Sequence, residues 1–388
     1  MTDLETRAIP ARSGALRRAA PALLGYAAVR ALGLLVLALW SAARDKSAYT
    51  LLTARWDSLW YQRVAERGYG YEVRLPNGDV HSDLAFFPLL PWLERLGAAV
   101  SPLSHAGAGF VVSLLASLAA AWGIFAVADH VYGRRAGVCA VLLWAVLPVG
   151  IVQSMAYSES LFTALAAWSL YAVLTGRWVT AGVLALLSGL TRPVGLAVVA
   201  AVWAAGVVSY GRHRSAVDEH GARAAPRALG MILAPLGAAG YVLWVGHRTG
   251  KGPLGYLDVQ AGWRNGFDGG WAFARFVAEK FTSFPSALAG LGLIAGVALV
   301  AWLYAVCVRQ RQPLPLLVYA GIVTALALCA SSYFGSKPRL LLPAFPLLLP
   351  LARALAGLRT SRSALVAAGV AVASAVYGAV WLNGSGPP

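Results

Sequence analysis

The sequence predicts an all-α polytopic membrane protein, and three observations carry that reading. Hydrophobic residues make up 59% of the 388-residue chain and charged residues only 12%, far from the balance of a soluble domain. Apolar runs near the length that crosses a hydrocarbon core as a helix, roughly 20 residues, recur from Ala19 to Leu382. None of the long runs alternates as a barrel strand does, and only helices or closed barrels satisfy backbone groups in lipid. The expected architecture is a single integral-membrane domain over residues 1–388, a bundle of about 11 transmembrane or re-entrant helices with a large first outer loop.

The runs cover 19–42, 106–128, 137–152, 159–174, 179–190, 193–208, 228–247, 286–308, 314–332, 340–357 and 363–382. The stretch 179–208 is either one long span or two short ones broken at Thr191-Arg192-Pro193, since proline disfavours helix in the residue before it. Two short spans and a re-entrant pair give the same parity there. With that parity, the short basic connections Arg134/Arg135, Arg177, Arg309/Arg311 and Arg359/Arg362 share the side of the N-terminus with the basic loop 209–227. The positive-inside rule makes that side cytoplasmic, with 1–18 as a tail. Lys and Arg totals tie between the two faces, so the orientation rests on the short loops, where the rule has force. Arg7, Arg12, Arg17 and Arg18 precede a run from Ala19 to Ala42 that is too long for a cleaved signal peptide, which reads as an uncleaved signal anchor. The net charge of +16 is accounted for by such loops meeting anionic lipid, without nucleic acid. Cys139, Cys307 and Cys329 lie in separate runs, with no spacing of a metal site or disulfide framework.

On this layout two long loops, 43–105 and 248–285, face outward with the polar motifs of interest. In the first, ARWDSLWYQRVAERGY at 54–69 sets Trp56, Trp60 and Val64 at helical spacing opposite Gln62, Arg63 and Glu66, the pattern of a helix lying in the interface. Asp57 and Tyr61 share a face at i, i+4. A carboxylate among aromatic rings at a membrane surface is the best candidate for a catalytic base, with Arg55, Trp56, Trp60 and Tyr61 around it as substrate contacts. DLAFFPLLPWLERL at 83–96, interrupted by Pro88 and Pro91, reads as a second surface or re-entrant element, and Asp83 is the competing base.

Four further segments carry chemistry, each with a plainer reading beside it. AYSESLF at 156–162 puts Tyr157 and Glu159 at the outer end of a span, where Ser158 and Glu159 also suit an ordinary helix start. SGLTRPVG at 188–195 places Arg192 in the outer leaflet; an intramembrane charge suggests function, and a snorkelling arginine at a proline turn is the alternative. SKPRLLLPAFPLL at 336–348 sets Lys337 and Arg339 at the mouth of a span, where snorkelling cations are common. KGPLGYLDVQAGWRNGFDGGW at 251–271 is a Gly- and aromatic-rich loop with Asp258, Arg264 and Asp268, fit either to line a groove or to connect helices.

A carboxylate can accept a proton from a sugar hydroxyl while arginine forks stabilise a departing phosphate. No Gly-rich phosphate loop and no DxD sequence is present, which points away from a nucleotide-sugar donor and towards a lipid-linked one, with neither metal nor other cofactor.

RWDSLWYQRVAERGY, LAFFPLLP, AYSESLF, SGLTRPVG and SKPRLLLPAFP, in this order over residues 54–346, together resemble the PIG-V family of GT-C mannosyltransferases. The resemblance implies transfer of mannose from a polyprenyl- or dolichyl-phosphate-mannose donor, and Asp57 as the acid/base in the first outer loop. The Ala-, Gly-, Arg- and Leu-rich composition resembles that of a high-GC bacterium, for which the donor would be polyprenyl-phosphate-mannose. Arg192, Lys337 and Arg339 are assigned to the donor phosphate on physical grounds alone. The expected reaction is inverting and metal-independent, onto a lipid or glycan hydroxyl, with membrane lipids as surroundings and an accessory membrane subunit left open. A lipid-linked sugar flippase, with Arg30, Arg192 and Arg353 marking a polar path, and a non-catalytic subunit of a glycosyltransferase complex are the other classes the sequence allows.

Overall fold

The computed structural model describes residues 12–213, 220–331, 333–384 and 386. Helix α1 (Arg12–Ala42) opens a bundle, and the first long connection folds as α2 (Ala48–Thr53), α3 (Asp57–Arg67), strands β1 (Glu72–Arg74) and β2 (Val80–Ser82), and α4 (Leu89–Val100). Then come α5 (His105–Tyr132), α6 (Arg134–Ala145), α7 (Ser158–Leu174), α8 (Trp178–Gly189), α9 (Leu196–His213), α10 (His220–Leu233) and α11 (Leu236–Thr249). The second long connection holds α12 (Gly255–Gly262), β3 (Gly266–Phe267) and α13 (Trp271–Glu279). The chain continues with α14 (Phe284–Arg309), α15 (Leu314–Cys329), β4 (Ala330–Ser331), α16 (Lys337–Leu340), α17 (Leu349–Gly357) and α18 (Thr360–Leu382). Both sheets are two-stranded and antiparallel, β1 with β2 in the register Val73 opposite His81, and β3 with β4.

Among the described residues, six helical stretches are long and apolar enough to cross a membrane: Gly14–Ala42, His105–Tyr132, Pro193–Tyr210, Ala224–Thr249, Phe284–Arg309 and Thr360–Leu382. A seventh is added if Phe334–Leu340 and Phe345–Gly357, bent by 73°, form one span. Of the other apolar runs, three fall on Ser158–Leu174, Trp178–Gly189 and Leu314–Cys329, shorter than a full crossing, and the run 137–152 is α-helical only as far as Ala145. Local chemistry ends α8. Arg192 is extended at φ −159°, ψ 154° ahead of Pro193, ending α8 and starting a new helix.

Residues 1–11 and 214–219, in the expected tail and basic loop, lie outside the described residues. The flanking parts of both are helical: 12–18 belong to α1, 209–213 to α9 and 220–227 to α10, so the apolar helices simply continue into their basic ends. One end of the bundle gathers the short connections. Arg18 and Asp129 pair at 2.7 Å, Arg134 donates to the Arg18 carbonyl, Tyr132 to Gln310, and Arg135 to Thr360. At the other end Asn383 donates to Ser41 Oγ, and Lys46 Nζ donates to the Asn383 carbonyl at 2.8 Å. These contacts give α1, α5 and α18 the alternation expected from their order.

Glycine lets helices approach closely in the core: a Cβ on Gly182 would run into the Gly230 carbonyl of α10. The irregular stretch 146–157 between α6 and α7 is held from α1. Buried Arg30 donates to the Ala145 carbonyl at the end of α6, where helix carbonyls lack intrahelical partners, and to the carbonyl of Gly150 within the irregular stretch. Tyr26 donates to Gln153 Oε1 at 3.0 Å, and Gln153 donates to the Trp144 carbonyl. Arg30 is thus closed by backbone, while Arg353 lies over the Tyr132 ring near the Arg18 end.

Candidate active site

Asp57 is the first residue of α3, where the helix dipole favours a carboxylate. The turn that delivers it is strained. Trp56 sits at φ 51°, ψ −121°, a region that non-glycine residues adopt rarely and at a cost. Arg55 steadies that turn: its guanidinium lies 3.9 Å from the Trp56 ring centroid and donates to the Leu382 carbonyl at 2.9 Å, and its backbone N–H meets Ser58 Oγ.

Three other segments converge on this point. Arg339, from the one-turn helix α16, places Nη1 2.8 Å from Asp57 Oδ2, and its Nε lies 3.3 Å from Glu159 Oε1. Arg192, from the break between α8 and α9, contacts the same Glu159 oxygen through Nη1. Asp57, Arg339, Glu159 and Arg192 form a continuous chain of alternating charge. Ser158 extends it, accepting from Arg192 at 3.3 Å and sharing a 2.7 Å hydrogen bond with the Tyr61 hydroxyl. The Arg339 guanidinium also lies 5.1 Å from the Tyr157 ring centroid. Glu159 is 1% exposed and Arg339 8%, whereas the Asp57 side chain keeps 27% of its surface open. Buried charges persist only when paired, and here the open member is the carboxylate. Burial pushes the Tyr61 phenol up from its ordinary value, keeping it a neutral donor or acceptor beside Ser158.

The cluster therefore unites Asp57, Tyr61, Tyr157, Glu159, Arg192 and Arg339. Other expected site residues have different employment. Lys337 points away from Arg339: its Nζ donates to the carbonyls of Ala327 and Ala330, capping α15, and lies over the rings of Phe273 and Phe334. Asp83 is fully buried and accepts from the backbone N–H groups of Gly70 and Tyr71, pinning the chain ahead of β1. Burial raises its carboxyl above the ordinary value, against the lowering effect of those bonds. Trp60 stacks on Phe86 at 5.6 Å and meets Trp263 and Tyr71, a packing position. The buried face of α3 is Ser58, Tyr61, Val64 and Ala65; of the expected stripe Val64 belongs to it, Trp60 is half-buried, and Trp56 precedes the helix, which begins at Asp57.

Sequence reasoning missed the clamp that holds this region. Tyr241 of α11 donates to the carbonyls of Leu84 and Phe86, Tyr69 donates to the Phe86 carbonyl, and Arg248 donates to that of Tyr69. Trp263 donates to the Ser82 carbonyl and stacks on His81 at 4.0 Å, while Arg264 pairs with Asp79 at 2.6 Å. The loop 251–271 is thus a brace on the first connection, and its aromatic content was the only signal. Asp268 caps α13 through the N–H groups of Gly270 and Ala272. Among the described residues no group of three His, Cys, Asp or Glu side chains gathers as a metal site would.

A multi-pass helical bundle with its charged cluster at the junction of a long connection and broken helices has counterparts of similar fold among solved structures. The structure of ArnT from Cupriavidus metallidurans bound to undecaprenyl phosphate superposes with a TM-score of 0.54 at 16% identity, covering 92% of this chain and 68% of that one. Archaeal oligosaccharyltransferase AglB from Archaeoglobus fulgidus, in complex with an inhibitory peptide and a dolichol-phosphate, gives 0.48 at 12% identity, over 94% of this chain and 56% of that one. The chain thus spans about two thirds of the first and little more than half of the second. No curated protein matches it at the sequence level. Residues 31–214, a stretch that includes Asp57, Glu159 and Arg192, match the family model described as Mannosyltransferase (PIG-V).

Proposed function

We propose that the protein is an inverting mannosyltransferase that uses a polyprenyl-phosphate-mannose donor and works as one integral-membrane unit. The observation that carries the proposal is the Asp57–Arg339 pair, a partly open carboxylate at a helix start next to two converging arginines. Asp57 takes the proton of an acceptor hydroxyl, whose oxygen bonds to the anomeric carbon as the bond from that carbon to the phosphate oxygen breaks. The lipid phosphate leaves towards Arg192 and Arg339, which supply its positive charge without a metal or other cofactor. Lys337 has no part in this step. Support for mannose comes from the family description, and support for the lipid donor from a fold neighbour bound to undecaprenyl phosphate. The acceptor is a lipid or glycan hydroxyl, and the basic connections beside Arg18 orient the N-terminus to the cytoplasm and the site to the outer face.

The test is transfer of radiolabelled mannose from polyprenyl-phosphate-mannose in membranes containing the wild type or Asp57→Asn. A labelled product made by the wild type and lost in the variant is expected. Equal labelling by both would remove Asp57 as the base. No product from either would favour a flippase or a non-catalytic subunit.

A further inference from the structure

Glu159 stands out because one buried carboxylate oxygen, Oε1, serves both arginines of the cluster. Its position is fixed from two sides. It lies in the first turn of α7, directly after the irregular stretch that Arg30 and Gln153 tie to α1 and α6. Thr163 Oγ1 bonds its backbone carbonyl at 2.8 Å, and the neighbouring Ser158 is held by Tyr61. Substrate reaching Asp57 from its open side would meet Arg339 first, with Glu159 behind.

The charges decide what such a residue does. Asp57 and Glu159 balance Arg192 and Arg339, so the four side chains sum to zero. Removing the charge of Glu159 leaves a net positive site with low exposure, where an anion binds strongly. After transfer, a free lipid phosphate carries more negative charge than the phosphodiester donor did. Two arginines lacking a buried counter-charge would then retain the product better than the substrate.

We propose that Glu159 is a positioning residue that holds Arg192 and Arg339 on one carboxylate oxygen and neutralises the phosphate site enough for the lipid phosphate to leave after transfer. This rests on the assignment of a lipid-phosphate donor made above. It deepens that assignment by giving the buried carboxylate a role in product release. A merely structural role predicts the opposite sign: losing Glu159 would scatter the arginines and weaken phosphate binding.

The experiment measures binding of a C55 polyprenyl phosphate to the purified full-length protein in detergent, together with its inhibition of mannosyl transfer. Glu159→Gln is expected to bind the lipid phosphate at least tenfold more tightly, the effect of one unbalanced charge roughly 10 Å away at an effective dielectric of about 20. Its kcat and its donor KM should fall together as release becomes limiting. Glu159→Asp, which keeps the charge, should bind close to the wild type. The double variant Glu159→Gln/Arg192→Gln, which restores a zero sum, should return towards wild-type affinity, and it carries the test if the single variant does not fold. Weaker or unchanged binding by a folded Glu159→Gln, or a folded double variant that binds more tightly than the wild type, overturns the proposal alone. Wild-type protein that binds no polyprenyl phosphate overturns it together with the donor assignment.

Discussion

Arg339 and Asp57, brought from α16 and the start of α3, meet at 2.8 Å, and through Arg339 the first connection is joined electrostatically to the inner wall of the bundle. On the proposed reading, the base and the cation for the leaving group are therefore in direct contact before substrate arrives. A donor phosphate entering this site competes with a carboxylate for the same guanidinium.

Replacing Asp57 with Asn keeps the shape of the side chain and removes the proton acceptor. Turnover should fall about 10²- to 10⁴-fold, the usual contribution of a general base, with donor binding retained. Single-turnover transfer assays alongside lipid-phosphate binding separate the two effects.

Arg339→Gln leaves Asp57 and Glu159 without their shared cation. A broken buried ion pair costs about 3–5 kcal/mol, and the open side of Asp57 puts the expected loss at the low end of that range. Donor affinity should fall as well. Unfolding in detergent and the donor KM are the measurements.

Lys337→Met separates the two cations of α16. The methionine keeps the packing on Phe273 and Phe334 but leaves the carbonyls of Ala327 and Ala330 without their donor. Stability should drop by about 1–3 kcal/mol while the donor KM stays near the wild-type value. A large rise in KM with unchanged stability would return Lys337 to the phosphate site.

Glu94 gives a pH signature. It is 1% exposed in α4 and packs against Gly109 of α5, and burial, reinforced by Glu66, holds its carboxyl well above the ordinary value. Because the folded value is the raised one, the stability it contributes is complete below the unfolded value and is lost as pH rises through the folded value. Thermal stability should therefore decline towards alkaline pH, and Glu94→Gln should flatten that decline. A wild-type slope preserved in the variant would assign the dependence to another group.

The helical bundle could be read from the sequence because lipid leaves the backbone few solutions and apolar runs mark them. Asp57, Glu159 and Arg192 were legible for a related reason: a charge within or beside an apolar run has few innocent explanations. Lys337 and Arg339 were not separable in the same way. Residues two apart on a helix project to nearly opposite sides, so the one that reaches Glu159 is known only once α16 is placed. Asp83 misled because its partners are backbone N–H groups, which no side-chain pattern announces. Trp56 drops out of the expected face of α3 because its positive φ puts it before the helix.

The clasp on the Asp57 turn also bears on how the protein is made. Arg55 bonds the carbonyls of Leu382 and Gly384, and Lys46 bonds that of Asn383, so the residues beside Asp57 are fastened to the far end of α18. A nascent chain emerging from the ribosome presents residue 57 long before residue 384 exists. The Asp57 turn is therefore expected to acquire its final geometry only after α18 has been placed beside α1, and chains shortened within α18 are expected to lose that geometry even though every member of the charged cluster is present.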